Sequence, residues 1–504
     1  MRRKLYVAVA VLLLLFVSRA PAIASNIAVN LNAEFFFSND APWANAAAQV
    51  DPVTGYTYWW GYNPGTYQVT WSGAKAPAIS AGAGTFTVNG PGRGTLNLQF
   101  IKPGPGGDVF GLNAKGVSNL QILAPDAVAG TPFRKPFLDR VDSLVHGSVI
   151  RYMDWMRTNG SQVTNWSDRN TSLYQTTAAG VSYENIVALS NYTQSSPWIN
   201  IPVRATDDYV RQLARTLKNT LDPSLQVHVE YSNELWNGAF GDQYQYNIAQ
   251  ANADPQYDHP GEWGRAAQRA AERLRQIDAI FKQEFGGSSR VVPEIGGFVA
   301  NTYWGQTEID WLKKKGVNLR ADNYHMAIAP YVPGGEGELG LKGDETKDQI
   351  FQKLNDYLNN QVRTWVHDYK SMTDAVGIAL DSYEAAAGSF YALSNPAEKS
   401  LLSTFYDMQD DPRMGQLYKD FVTVWNEESG GGLFNAYGLI GSDTQWGQWY
   451  LLDDVNATHG PKWDALMSFV NATGSAPLPE PSLVGAIGIA SMAAAGRRRS
   501  RRAA

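Results

Sequence analysis

Short apolar runs alternate along the chain with stretches in which apolar residues recur every three or four positions. The short runs predict buried strands, and the longer stretches have the periodicity of amphipathic helices. Eight runs are predicted as strands, at residues 26–32, 147–155, 198–203, 226–231, from 289 onward, within 323–331, at 375–380 and at 433–439. Strands that alternate with helices in this number are typical of an α/β protein with a (β/α)8 TIM barrel. A doubly wound sheet is the alternative, but no glycine-rich phosphate loop follows any of the strands.

Helical patterns fill most of the segments between these strands. Asp207 and Asp208 are predicted to cap the helix that runs to Thr220. The other predicted helices lie at 135–145, 183–192, 261–285, 308–315, 347–372, 396–427 and 461–470.

Residues 56–123 lack helical periodicity. They contain strand-like runs broken by Gly and Pro, at 66–71, 85–88, 95–100 and 120–123. The spacing of these runs and their turn residues predict antiparallel β-structure. We interpret this segment as a β-rich insertion in the first loop of a barrel domain that covers residues 25–475. An independent N-terminal β-domain is the alternative.

The N-terminus has the pattern of a secretory signal peptide over residues 1–24. A basic start is followed by an apolar run, Leu5 to Val17, that is short for a membrane-spanning helix, and then by the small-residue cleavage sequence Ala22-Ile23-Ala24. The chain contains no cysteine, which excludes disulfides, thiolate metal sites and a cysteine nucleophile. An exported chain without cysteine is more typical of a bacterial source.

The C-terminal segment, residues 476–504, carries a second targeting pattern. Pro477-Leu478-Pro479-Glu480-Pro481 precedes a small apolar run and an arginine cluster at 497–502. The segment resembles the PEP-CTERM sorting signal of Gram-negative bacteria. The resemblance implies exosortase-type sorting machinery as a partner, transient membrane contact, and delivery to the cell surface or extracellular matrix. A plain anchor or a nucleic-acid-binding tail is the alternative, but arginines directly after an apolar run favour a topology signal.

Charge argues against a nucleic-acid partner. The chain has 42 Lys and Arg against 48 Asp and Glu, and nine of the basic residues lie in residues 1–24 and 497–504, which contain no acidic residue, so the rest of the chain has 33 against 48, or −15. A protein this acidic repels a phosphate backbone. Aromatic residues make up 12% of the chain, which suits carbohydrate binding, although most such rings belong to cores.

The fourth predicted strand ends in a stretch that suits sugar chemistry, Glu230-Tyr231-Ser232-Asn233-Glu234-Leu235-Trp236-Asn237. A carboxyl can transfer a proton, a neighbouring amide can hold a hydroxyl, and an indole can stack on a pyranose. The string resembles the strand-four motif of clan A glycoside hydrolases, which are retaining (β/α)8-barrel enzymes. The resemblance implies that Glu234 is the general acid/base and that Asn233 binds the sugar 2-hydroxyl.

The same resemblance implies a nucleophile at the end of strand seven, and Glu384 in Tyr383-Glu384 matches by position and type. Ala385 departs from the pattern, because a glycine often follows this glutamate in the family. Glu294, at the predicted end of strand five, is the rival. A salt-bridged structural role is the alternative for either carboxylate.

Other residues at predicted strand ends complete the expected sugar pocket. Arg151 and Tyr331 would pair with and orient Glu384, although Arg151 could instead pair with Glu230. The remaining predicted substrate contacts, each with core packing as its alternative, are Trp236, Trp446, Trp449 and His325.

These features predict an exported retaining glycoside hydrolase that cleaves a β-linked poly- or oligosaccharide by double displacement. A non-catalytic carbohydrate-binding or matrix protein on a barrel scaffold is the alternative, and a transglycosylase would use the same residues. The six histidines show no paired metal-binding spacing, so we expect neither a metal nor another cofactor.

Overall fold

A computed structural model describes residues 25–31, 43–44, 56–60, 65–73, 75–81, 84–98, 109–171, 178–287 and 289–472. The predicted signal peptide and sorting segment lie outside this part of the chain. No helix within it is both long enough and apolar enough to cross a membrane.

Eight parallel strands form a nearly closed barrel, which confirms the predicted fold class. In chain order the barrel strands are β1 Ile27–Asn30, β9 Val149–Arg151, β10 Ser196–Ile201, β11 Val227–Tyr231, β12 Val291–Gly296, β13 His325–Ile328, β14 Ala379–Ser382 and β15 Phe434–Tyr437. Consecutive barrel strands pair with each other from β1 to β14, and β1 also pairs with β15, where Ile27 lies opposite Phe434.

The gap between β14 and β15 is joined without a regular ladder. The Ser382 amide donates to the Leu433 carbonyl over 2.8 Å, and the Asn435 amide donates to the Ser382 hydroxyl over 2.7 Å. An isolated parallel bridge joins Ala385, just beyond the end of β14, to Ala436 within β15. These contacts bring the C-terminal end of β14 against its neighbours, so the barrel wall continues around the site.

Helices surround the barrel and bury their apolar faces against it. They are α1 Lys135–Val145, α2 Tyr183–Thr193, α3 Asp207–Thr220, α4 Gly241–Ala253, α5 Glu262–Phe285, α6 Tyr303–Lys314, α7 Lys347–Tyr357, α8 Arg363–Asp374, α9 Pro396–Ser400, α10 Leu402–Gln409, α11 Pro412–Ser429 and α12 Pro461–Ala472. A π-helical segment, Leu358–Val362, connects α7 to α8. Their apolar side chains form one continuous core with those of the strands.

Some predicted boundaries were wrong. The cap of α3 is Thr206, whose hydroxyl accepts from the Tyr209 amide, and the acidic pair instead occupies the first turn, where it faces the positive end of the helix dipole. Strand β14 begins at Ala379 rather than at residue 375, because α8 ends at Asp374 and the turn that follows it occupies residues 375–377. Gly377, with φ of 70°, ends the helix, and the Ile378 amide returns to the Thr373 carbonyl.

The N-terminal β-rich region forms two antiparallel sheets that are separate from the barrel sheet. Its strands are β2 Tyr56–Trp60, β3 Gly65–Ser72, β4 Ala78–Ala81, β5 Gly84–Gly90, β6 Arg93–Leu98, β7 Val109–Asn113 and β8 Ser118–Leu123. Alternation along β3 buries Tyr67, Val69 and Trp71 in a small core of their own. The region therefore sits between the first two barrel strands in sequence without entering the barrel wall.

Candidate active site

The end of β11 turns sharply and presents the Asn233-Glu234 pair at the C-terminal end of the barrel. Ser232 and Glu234 both have left-handed backbone conformations, with φ of 62° and 43°. Residues with a Cβ rarely adopt this region, and such strained positions cluster at functional sites. Asn233 between them is buried, and its Nδ2 donates to Asn159 Oδ1 over 3.1 Å.

Glu384 lies just after β14 and is held by one donor on each carboxylate oxygen. Arg151 Nη1 donates to Oε1 over 2.7 Å, and the Tyr331 hydroxyl donates to Oε2 over 2.7 Å. Only 6% of Glu384 is exposed, so both bonds are largely shielded from water. The carboxylate is therefore fixed in one orientation by groups from β9 and from the segment after β13.

Arg151 is fully buried and uses every donor of its guanidinium. Nε and Nη2 donate to Glu230 over 2.9 to 3.1 Å. Nη1 also donates to Asn30 Oδ1 over 3.3 Å, and Nη2 to Asn233 Oδ1 over 2.8 Å. Burial opposes the charge of Arg151, but Glu230 and then Glu384 outweigh it and raise the pKa of the guanidinium. The two pairings left open by the sequence, with Glu384 and with Glu230, thus occur together.

Glu234 lies in a different environment from Glu384. Its Oε1 accepts from the Tyr383 hydroxyl over 3.0 Å, and its Oε2 accepts from Asn237 Nδ2 over 2.8 Å. Burial first, and then the negative charge of Glu384, raise the pKa of Glu234 to about 7. A carboxyl with this pKa can carry a proton near neutral pH and can also give it up.

Asp154, which follows β9, is a third carboxyl group, and it interacts electrostatically with Glu384. Its Oδ2 accepts from the Tyr437 hydroxyl over 3.2 Å and from Asn30 Nδ2 over 3.4 Å. Burial and then the charge of Glu384 raise the pKa of Asp154 to about 7.

Each of the three predicted tryptophans contacts another aromatic residue. Trp449 contacts three tyrosine rings at centroid distances of 5.1 to 5.6 Å, those of Tyr331, Tyr391 and Tyr437. Trp446 is 60% exposed, and its carbonyl accepts from Trp449 Nε1 over 3.2 Å. On the side of the motif, Trp236 stacks on Phe298 with centroids 4.3 Å apart.

A second polar cluster lies within the strands rather than beyond their ends. His228 Nδ1 shares a 2.7 Å hydrogen bond with Glu294 Oε1, and His325 Nδ1 lies 2.7 Å from Asp381 Oδ2. Burial and then His325 lower the pKa of His228 to about 3, and burial and then Asp381 raise that of Glu294. Burial opposes the charge of His325, but Asp381 outweighs it and raises its pKa to about 9.

This cluster changes the predicted places of His325 and Glu294. His325 begins β13 instead of preceding its end, and it lies level with Ala379, five residues before Glu384. Glu294 lies inside β12, level with Glu230, because the strand continues to Gly296. Among the described residues, neither side chain shares a hydrogen bond with Glu234 or Glu384, although Glu294 and Glu234 line one small cavity.

The same cluster contains the donors that could hold a metal ion. His228, Glu294 and Asp381 offer ligand atoms that all lie within 4.8 Å of one another. The hydrogen bonds to Glu294 and to Asp381 already account for Nδ1 of His228 and of His325. In this structure the side chains are paired with one another, His228 with Glu294 and His325 with Asp381.

Sequence reasoning missed three groups that shape the site: Asp154, Tyr383 and Tyr437. Asp154 and Tyr383 lie in or beside segments that the strand pattern had already placed at strand ends. Their polar side chains next to apolar runs were a usable signal. Their partners, however, come from other strands and depend on the stagger of the barrel.

Searches of protein-family models and of curated proteins found no match to this chain. Among solved structures it resembles XacCel5A, solved in complex with cellopentaose, at 12% identity and a TM-score of 0.32, over 65% of this chain and 87% of that one. It also resembles a beta-glucosidase mutant derived from a hyperthermophilic tetrameric structure, at 11% identity and a TM-score of 0.32, over 68% and 84% of the two chains. A likeness this distant carries no conclusion about activity, which must come from the side chains of this chain.

Proposed function

We propose that the chain is a retaining glycoside hydrolase that cleaves a β-linked poly- or oligosaccharide. The proposal rests on one observation, which is that two carboxyl groups at the C-terminal end of the barrel have different environments. Glu384 accepts hydrogen bonds from Arg151 and Tyr331 on its two oxygens, whereas burial and the charge of Glu384 raise the pKa of Glu234 to about 7. Two carboxyls whose environments differ in this way suit one nucleophile and one proton donor.

In the first step, Glu384 attacks the anomeric carbon as a carboxylate. The bond from that carbon to the glycosidic oxygen breaks, and the proton of Glu234 passes to the departing oxygen. The product is a sugar joined covalently to Glu384, with Glu234 now ionised. Arg151 and Tyr331 hold the attacking oxygens in position, so little reorganisation is needed as the bond forms.

In the second step, ionised Glu234 takes a proton from water, and the resulting hydroxide oxygen bonds to the anomeric carbon. The bond between the sugar and Glu384 breaks, which returns both carboxyls to their starting states. Loss of the negative charge on Glu384 in the intermediate lowers the pKa of Glu234, which suits its change from acid to base. Two inversions give net retention at the anomeric carbon.

The test uses Glu384→Ala, with Glu294→Ala as its matched control, because both glutamates are buried and only Glu384 has the proposed role. On an activated aryl glycoside, Glu384→Ala should lose nearly all turnover, and added azide should restore part of it with an inverted product. Glu294→Ala should keep its chemical rate. Normal turnover in Glu384→Ala with a dead Glu294→Ala would overturn the assignment, and a wild type that cleaves no glycoside would favour the non-catalytic alternative.

We also propose that the protein is exported to the cell surface or extracellular matrix of a Gram-negative bacterium, on the basis of the two terminal patterns. Deletion of residues 477–504 should change where the protein is found, by fractionation, and leave the purified enzyme's stability and activity unchanged. Loss of the folded state on this deletion would contradict the proposal.

A further inference from the structure

Asp154 has no role in the two proposed catalytic steps. Its Oδ2 accepts two hydrogen bonds, from Tyr437 and Asn30, whereas no described residue donates to its Oδ1. The residue is half-buried, so one side remains accessible. A carboxylate oxygen that is partly desolvated and lacks a protein donor is an acceptor available to a ligand.

The contacts of Asp154 link its side chain to Glu384, the carboxylate that attacks the anomeric carbon. The charge of Glu384 acts directly on Asp154, and Asn30 donates to Asp154 through Nδ2 while its Oδ1 accepts from Arg151. Arg151 in turn donates to Glu384. A sugar positioned for attack by Glu384 therefore presents its ring substituents to the neighbourhood of Asp154.

The charges at this end of the barrel limit the kind of sugar that fits. Asp154, Glu234 and Glu384 are acidic, and Arg151 is the basic group whose charge acts most on the first two. All five N–H groups of Arg151 are already taken, by Glu230, Glu384, Asn30 and Asn233, and its exposure is 0%. A substrate carboxylate would thus meet the negative charge of Glu384, and Arg151 has no N–H group left to bind it.

We propose that Asp154 binds the sugar in the cleavage subsite by accepting a hydrogen bond from a ring hydroxyl on Oδ1, and that this subsite is built for an uncharged sugar and rejects a uronate. The inference rests on the proposed glycosidase activity. Asp154 is a specificity residue here, since it takes no part in the bond changes at the anomeric carbon.

The experiment begins with aryl β-glycosides of glucose, galactose, mannose, xylose and glucuronic acid on the wild type. Monodeoxy versions of the best substrate are then assayed with wild type, Asp154→Asn, Asp154→Ala and Tyr437→Phe. One deoxy position should lower kcat/KM of the wild type about 10- to 100-fold, the value of a hydrogen bond to a charged group. In Asp154→Ala the same deoxy substitution should change kcat/KM less than about 3-fold, because its partner is already absent.

Tyr437→Phe separates binding from support of the loop, because it removes a donor to Asp154 and leaves the carboxyl in place. In Tyr437→Phe the same deoxy position should be the costly one as in the wild type. If the substitution disturbs the loop, kcat/KM should fall by the same factor for every member of the deoxy series. Asp154→Asn keeps the size of the side chain but removes its charge. If Asp154→Ala does not fold, the same deoxy substitution should lower kcat/KM less in Asp154→Asn than in the wild type, because a hydrogen bond to a neutral group is weaker. Equal losses at every deoxy position in wild type and both Asp154 variants would overturn the hydrogen bond.

The uronide arm tests the charge of the subsite. The glucuronide should have a kcat/KM at least about 100-fold below that of the best neutral glycoside, and Asp154→Asn should narrow this ratio. Comparable turnover of the glucuronide by wild type would overturn the assignment to an uncharged sugar. A wild type that cleaves none of the glycosides would instead overturn the proposed function itself, which keeps the two failures distinct.

Discussion

The hydroxyl of Tyr383 donates a 3.0 Å hydrogen bond to Oε1 of Glu234. Tyr383 directly precedes Glu384 in the chain, so the neighbour of one carboxyl residue binds the other carboxyl. The Arg151 guanidinium lies over the same tyrosine ring, 5.0 Å from its centroid. Tyr383 thus connects the ends of β14 and β11 within one fully buried side chain.

Tyr383→Phe should raise the pKa of Glu234 further. The hydrogen bond stabilises the ionised form of Glu234, so its loss favours the protonated form. The alkaline limb of the pH profile of kcat/KM should move upward by about half to one pH unit. Tyr391→Phe is the control, because the Tyr391 hydroxyl bonds to neither carboxyl in the described structure. A downward shift, or equal shifts in the two variants, would contradict the prediction.

Glu234→Ala should separate substrates by their leaving group. A sugar is a poor leaving group and needs the proton of Glu234, so polysaccharide cleavage should fall about 10²- to 10⁴-fold. A dinitrophenyl group departs with little help, so the first step on that glycoside should slow much less. Without a base to activate water, a covalent sugar adduct should then accumulate on Glu384 and be detected by mass spectrometry. Absence of the adduct, with both substrates slowed equally, would restrict Glu234 to positioning the sugar.

Arg151→Met should cost stability as well as activity. It removes the cation shared by Glu230 and Glu384, and both carboxyls would remain buried. Breaking a buried ion pair costs about 3 to 5 kcal/mol in the free energy of unfolding, measured by urea denaturation. Arg215→Met is the matched control, because it breaks the pair with Glu284 at a side chain that is 52% exposed, and it should cost less than about 1 kcal/mol. Similar losses in the two variants would show that Arg151 contributes no more than a surface residue.

His325→Gln should flatten the dependence of stability on pH in the alkaline range. Asp381 raises the pKa of His325 from 6.5 to about 9 in the folded protein. The stabilisation of the folded protein by protonated His325 is therefore complete below pH 6.5. It is lost as the pH rises through about 9, which lowers the free energy of unfolding by about 3 kcal/mol. Between these pH values the wild type should lose more unfolding free energy than His325→Gln does. Parallel curves for the two proteins would mean that His325 does not carry the charge.

The barrel was predictable because its signals are local. Buried strands such as β11 read as short apolar runs, and helices such as α1 have matching apolar faces, so number and order follow from the pattern. Helix α4 was missed because Gln243 and Asn247 occupy buried positions that the pattern assigns to apolar residues. The start of β14 was predicted too early. Apolar residues occur both in the turn that includes Gly377 and in the strand after it, so the pattern does not mark the boundary between them.

The site was predictable only as far as single strand ends allow. Glu234 and Glu384 could be proposed from their own segments, and so could Arg151 and Tyr331. The left-handed turn at Ser232, the bond from Tyr383 and the partners of Asp154 depend on how distant strands are staggered. His325 was misplaced for the same reason, because a strand of four residues gives no indication of where its C-terminal end lies.

The pairing of β1 with β15 sets the order in which the protein can be completed during synthesis. The Asn26 side chain donates to Asn426 across 400 residues, and Ile27 lies opposite Phe434. Until the ribosome has released β15, the nascent chain exposes an unpaired strand edge on β1 that can join other chains. A circular permutant that opens the chain elsewhere in the barrel would place β1 and β15 next to each other in translation and shorten the life of that edge.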